Sequence, residues 1–131
     1  MPLLAESFES LARRAVACKG WRWMPGMKTL AGWRVSSVPL PDMVVLKLSG
    51  YHDYTLPPDT VVERCREPDL SDPATLGCLL ALVREAWADT HVSAGFRMFS
   101  MAPMVWVPSQ NKYFHGSSEA EAMVAALEAA T

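Results

Sequence analysis

The sequence predicts an α+β fold: a central antiparallel sheet with about three helices, in the order α-β-β-α-β-β-α, packed as a layered sandwich. Three observations carry this. Segments at the start, middle and end of the chain place apolar residues at helical spacing. Between them the apolar residues alternate at period two. The junctions are rich in proline and glycine. The 131 residues suit one domain over 1–131, large enough to bury a core without disulfide or metal staples.

The first helix rests on Leu4, Phe8, Leu11, Ala12, Ala15 and Val16, which share one face, with Pro2 suited to an early helical position and Gly20 to a stop. From Trp21 to Val38 the period changes. Trp21 and Trp23, then Trp33, Val35 and Ser37, fit two short antiparallel strands punctuated by Pro25-Gly26 and Ala31-Gly32. The apolar run Met43 to Leu48 reads as a third strand, and it is a candidate edge for a homodimer. Gly50 to Asp72 is a long proline- and charge-rich connection, of the kind that is either functional or mobile in a small domain. Within it, PDTVVER is compatible with a short strand or a helical turn.

SDPATLGCLLALVREAW is the strongest local signal. Asp72 is an N-cap whose carboxylate can accept from an orphan amide, and Pro73 occupies the first helical position, where no donor is lost. Leu76, Leu79, Leu80, Val83 and Trp87 form its apolar stripe. Gly77 is expected to mark a close backbone approach, with the helix lying directly on the sheet. GFRMFSM and MVWVPSQ read as two further strands, the first apolar on both faces and so expected to be covered on both. SQNKY is a turn. The final helix begins with Ser118 and Glu121 as a capping box and carries Met123, Val124 and Leu127 on a narrow apolar face.

Charge and motif content restrict the chemistry. Lys+Arg total 12 against 14 Asp+Glu, a formal net charge of -2, so the basic excess of a direct nucleic-acid binder is missing. No apolar run approaches the roughly 18 residues that cross a bilayer. The opening MPLLAESF has neither the basic nor the apolar region of a signal peptide, and three cysteines, Cys18, Cys65 and Cys78, show no CxxC spacing. A reduced, cytoplasmic protein with free thiols is expected. Cys18 and Cys78 read as small core residues. Cys65, between Arg64 and Arg66, sits in a setting that would lower a thiol pKa.

His52, His91 and His115 are not paired with other ligands at helical spacing, so no metal site is expected; phosphate-cradling glycine motifs and a GxSxG elbow are also missing. No cofactor is implied, and the expectation is a protein that is not an enzyme, although a hydrolase built on His52 with Asp53, Asp59 or Asp69 is compatible with the composition. What remains is aromatic. Trp87 ends the helical stripe, and Trp33 and Trp106 read as sheet residues facing a helix layer. Trp21 and Trp23 share one strand face: they are core if a helix covers it, and otherwise form, with Arg22, an aromatic patch of the kind that binds partners or ligands. Tyr51, His52, Asp53 and Tyr54 combine aromatic surface with polar groups on the long connection, as a binding loop or a plain crossover.

CKGWRWMPGM, SDPATLGCLLALVREAW and GSSEAEAMVAALEAA together resemble small phage- and prophage-encoded α-β-α sandwich proteins, in which a helix pair and an antiparallel sheet carry a SEAEAxVAALE-type terminal helix. A second resemblance, through the first helix, KGW, a later GM and WVPSQ, is to phage anti-Thoeris sponge proteins that sequester cyclic nucleotide signals; by motif it maps onto Trp21 and the stretch from Trp106 to Gln110. These resemblances imply an accessory protein acting by stoichiometric binding in the host cell. Its partner would be a host or defence-system protein that it blocks, or a small nucleotide held in an aromatic slot beside Arg22 or Lys112. A small enzyme or a structural phage protein is the third alternative.

Overall fold

The computed structural model describes residues 6–40, 43–47, 53–56, 67–97 and 102–130. Its elements are α1 (Phe8–Val16), β1 (Arg34–Leu40), β2 (Met43–Lys47), β3 (Asp53–Leu56), α2 (Pro73–Ala86), β4 (Ser93–Arg97), β5 (Ala102–Val107), β6 (Lys112–His115) and α3 (Glu119–Ala129), with a 3-10 turn at Pro108–Gln110 between β5 and β6. The fold is α+β, with three helices and antiparallel sheet among the described residues, in the expected alternation. The described strands fall into two three-stranded sheets, β1-β2-β3 and β4-β5-β6, each built from consecutive hairpins.

The core centres on α3. Ala120, Ala122, Met123, Val124, Ala126 and Leu127 are all buried, so this helix is apolar nearly all round, as a helix enclosed by its neighbours must be. It packs against α1, α2 and every strand of the second sheet. Alanine allows this, because small side chains let several elements approach one helix closely. Leu11 and Ala15 of α1, Leu79, Leu82 and Val83 of α2, and Val105 and Val107 of β5 complete the cluster, together with Met27, Val35, Leu70 and Val92.

The caps follow the sequence closely. Ser7 caps α1 by accepting from the Ser10 amide, and Asp72 caps α2 by accepting from the Thr75 amide at 3.0 Å with Pro73 next. Ser118 caps α3 by accepting from the Glu121 amide at 3.1 Å. The capping box is only half made, since the Glu121 carboxylate takes the Ser117 hydroxyl at 2.7 Å. Gly116 is required beside it: an added Cβ would lie 2.6 Å from the Glu121 Cβ and 2.8 Å from the Ala122 amide nitrogen.

Several expectations are corrected. Trp21 to Met24 forms no strand; the chain leaves α1 at Ala17, and a Pro25-Gly26 turn with Gly26 at φ 96° follows before any ladder can form. Trp33 lies one residue ahead of β1 and closes a tight loop with Thr29, whose amide donates to the Trp33 carbonyl at 2.8 Å. The run Met43–Lys47 is the central strand of its sheet, flanked by β1 and β3, so it offers no dimer edge. Gly77 makes no close approach: a Cβ there would meet nothing within 4 Å, and it is α3, not α2, that lies across the second sheet. Phe96 on β4 is 55% exposed, so that strand is not covered on both faces. Phe8, placed on the buried face of the first helix, is 43% exposed because the helix starts there. Leu4, Cys65 and the PDTVVER segment from Pro58 to Arg64 lie outside the described residues.

Candidate functional site

Strand parity sorts the second sheet into two faces. Residues directly opposite in an antiparallel ladder share a face, and successive residues alternate. Val105 and Val107 are fully buried, which fixes the inner face as the row Ala94, Val105, Phe114 and the pair Val107, Lys112. The outer face therefore carries the rows Ser93, Trp106, Tyr113 and Gly95, Met104, His115.

The inner face is tied down by Trp87. Its ring sits 5.8 Å from that of Phe114, and its indole N–H donates to the Ala126 carbonyl at 2.9 Å. Ala126 is in the last turn of α3, where carbonyls have no partner within the helix, so the indole satisfies an orphan acceptor. The Lys112 ammonium lies 5.8 Å from the centre of the same ring, within cation–π reach.

The outer face is an aromatic ladder. Trp106 and Tyr113 stack with centroids 4.2 Å apart and planes at 25°, and Tyr113 lies at 24° to the His115 ring, 6.3 Å away. Tyr113 is 44% exposed, His115 and Ser93 are exposed, and Trp106 and Met104 are half-buried. Three near-parallel rings on a rigid sheet offer contact area with few rotors to freeze. Trp106 thus faces outward, not toward a helix layer, because it alternates with Val105 and Val107.

The other sequence-predicted residues are scattered. Trp21 and Trp23 do meet, edge to face at 5.4 Å, but both are half-buried and packed against the core, so they are neither a covered strand face nor an open patch. The Trp21 indole nitrogen is buried without a hydrogen-bond partner among the described residues. Arg22 pairs with Glu85 at 2.5 Å. Gln110 is exposed at the end of the 3-10 turn, Asp53 opens β3 opposite Lys47, and Tyr51 and His52 lie outside the described residues. The cations expected to line a nucleotide slot are elsewhere: Arg22 is engaged with Glu85, and Lys112 lies on the inner face over Trp87. Trp106 and Tyr113 are already in contact, which leaves no gap between them for a base.

A polar clasp supports the site from below. Asp89, 7% exposed, accepts from the amides of His91 and Ser109, each at 2.9 Å, joining the end of α2 to the turn between β5 and β6. Those bonds, the Ser109 amide first, hold its carboxyl below the ordinary range. Ala88 at φ 50° makes the reversal that delivers Asp89 there. Burial pushes the thiols of Cys18 and Cys78 up, against a nucleophilic role. Among the described residues, no group of three or more His, Cys, Asp or Glu is placed to hold a metal ion, and no helix is long and apolar enough to cross a membrane.

Tyr113 and His115 were not apparent as site residues from the sequence. The signal was present in MVWVPSQNKYFH: a hairpin through residues 108–111 sets Tyr113 opposite Trp106, and alternation then adds His115. Reading NKY as turn only hid that register. In comparisons with known proteins, no family model matches the chain, and no curated protein or solved structure is found similar to it.

Proposed function

We propose that this chain is a stoichiometric binding protein and that the outer face of β4-β5-β6 is its recognition surface for a protein partner. The observation that carries the reading is the Trp106–Tyr113–His115 ladder, held out to solvent on a sheet whose other face is anchored in the core. Aromatic, Met and His side chains rimmed by Ser match the centre of protein interfaces, where charge is depleted. A nucleic-acid or nucleotide surface would instead need cations beside the rings, and the two rows that carry the rings, Ser93–Trp106–Tyr113 and Gly95–Met104–His115, contain no Lys or Arg. The resemblance to phage-encoded proteins adds the kind of partner, a component of a host defence system whose action the bound chain would block in the cytoplasm.

The test is affinity capture from host cells carrying active defence systems, using the wild-type chain, Tyr113→Ala and Trp21→Ala. Support requires one protein recovered in stoichiometric amount by the wild type and by Trp21→Ala, and lost by Tyr113→Ala while that variant keeps its circular dichroism spectrum. Retention of the same protein by Tyr113→Ala would exclude this face. A nucleotide released from the wild-type chain under native mass spectrometry would replace the reading with the sponge alternative.

A further inference from the structure

α1 is held to the molecule by less than the other two helices. Its buried residues are Leu11, Ala12 and Ala15, one leucine and two methyl groups, whereas α2 buries Leu79, Leu82 and Val83 and α3 is buried nearly all round. The one element it packs against extensively is α3. The rest of its hold is ionic and centres on Arg14. The Arg14 guanidinium reaches across to the last turn of α3, where Nη2 and Nε donate to the two Glu128 carboxylate oxygens at 2.6 and 3.1 Å, while Nη1 donates to the Glu6 carboxylate. Arg13 adds a longer pair to Glu67 at 3.7 Å. The Arg14 and Glu128 side chains are 34% and 40% exposed, so salt can screen their attraction. Glu128 also stands at the negative end of α3, which has no basic residue in its own last turn; Arg14 supplies the compensating cation from α1.

Just beyond α1 the chain is fixed again. Gly20 lies so close to the other helices that an added Cβ would stand 3.0 Å from the Leu127 Cδ1 and 3.3 Å from the Ala86 Cβ. Arg22 pairs with Glu85, and Trp21 packs against the core. Between helix and anchor the backbone bonds are local: the Ala17 and Cys18 amides donate back to α1, and the Cys18 carbonyl accepts from the Trp21 amide.

We propose that α1 is a strap latched by Arg14, which swings off α3 as a unit about residues 17–19 while α2, α3 and the second sheet stay folded. Segments held by few buried apolar contacts open below the free energy of global unfolding, in contiguous units bounded by what is held more tightly. α1 meets that condition along its length, and Gly20 marks where the unit ends. Opening uncovers Leu11, Ala12 and Ala15 together with the side of α3 beneath them, an apolar surface that the closed protein hides, and the ionic latch makes that exposure respond to salt. The aromatic outer face of β4-β5-β6 lies across the sheet from α3 and is the same in both states, so the strap is independent of the recognition surface proposed above.

Native-state hydrogen exchange read by peptide-resolved mass spectrometry tests this on the full chain. The hydrogen-bonded amides of α1 should exchange at least about tenfold faster than those of α3. Trp87→Phe, which cuts the indole bond to Ala126, should speed exchange in α3 and leave α1 unchanged, because that bond stays made in the open state. Raising sodium chloride from about 0.1 M to about 1 M shortens the screening length from about 10 Å to about 3 Å. That change should speed α1 exchange about twofold to fivefold, the range expected for one half-exposed ion pair. Arg14→Gln should speed α1 by a similar factor at low salt and lose most of the salt response. Leu11→Ala, which acts through the apolar hold, should speed α1 and keep that response. If α1 exchanges at the rate of α3, or accelerates with it in Trp87→Phe, the strap is overturned. If α1 of Arg14→Gln keeps the full salt response, Arg14 is not the latch.

Discussion

Replacing Trp87 by Phe removes one hydrogen bond while keeping most of an aromatic ring in place. The indole N–H is the donor that satisfies the Ala126 carbonyl at 2.9 Å, in the last turn of a helix whose sides are buried. A hydrogen bond of this kind contributes about 1 kcal/mol net, and an acceptor stranded away from water raises the loss toward about 2 kcal/mol. The smaller ring also weakens the cation–π contact from Lys112, worth about 0.5 kcal/mol at a partly exposed site. The expected loss is therefore about 2 kcal/mol for Trp87→Phe. Trp87→Ala, which also opens the contact with Phe114, should lose about 3–5 kcal/mol. For a domain of this size each kcal/mol lowers the melting temperature by about 3–5 °C. Circular dichroism at the helical band, followed through thermal and urea unfolding, reads both variants without relying on indole fluorescence. If Trp87→Phe melts with the wild type, the indole bond is not what anchors α3.

Two further predictions concern backbone and charge. Gly77→Ala should stabilise by about 1 kcal/mol, because a mid-helix glycine is replaced where the new methyl meets nothing; Gly116→Ala should destabilise by about 1–3 kcal/mol through overlap with Glu121 and the Ala122 amide. Urea midpoints for the pair check both signs at once. Asp89 has a depressed carboxyl in the folded state, so the stability it contributes is fully present above the unfolded-state value near pH 4 and is lost as pH falls through the lower folded value. The stability gap between wild type and Asp89→Asn should accordingly shrink between about pH 6 and about pH 2; a gap that stays constant with pH would mean the carboxylate charge contributes nothing.

Helix ends were legible in the sequence because caps are local. Asp72-Pro73 and Ser118 with Glu121 announce orphan amides within four residues, and each cap is found where the residues stand. Which face of each element is buried was less legible, since that depends on which element lies next to it. The stripe on α2 includes Leu76 and Leu80, yet the fully buried residues are Thr75, Leu79, Leu82 and Val83, and Leu76 and Leu80 line an open groove instead. The alanines of α3 look like propensity alone. Only the surrounding elements show that they are the centre of the core. Strand parity was legible for MVWV, but its sense was not: Trp106 is the largest residue in the run, and size pointed it inward. The two flanking valines, Val105 and Val107, took the core positions instead.

Trp21 and Trp87 present the same side chain in opposite circumstances, and the same substitution should separate them. The Trp87 N–H has a partner; the Trp21 N–H is buried with none among the described residues. A buried donor without an acceptor forfeits its hydration, about 1–3 kcal/mol, so removing it returns much of what the smaller ring loses in contact area. Trp21→Phe should therefore change stability by less than about 1 kcal/mol, although Trp21 packs against the core and meets Trp23 edge-on, while Trp87 meets Phe114 at a tilt. Measured beside Trp87→Phe under identical urea conditions, the two variants differ in one atom's circumstance more than in ring burial. Equal losses would mean that ring packing alone decides both sites. A near-neutral Trp21→Phe beside a destabilised Trp87→Phe would show that the hydrogen bond at Ala126 is the difference, and that the paired tryptophans after α1 serve the core as apolar surface.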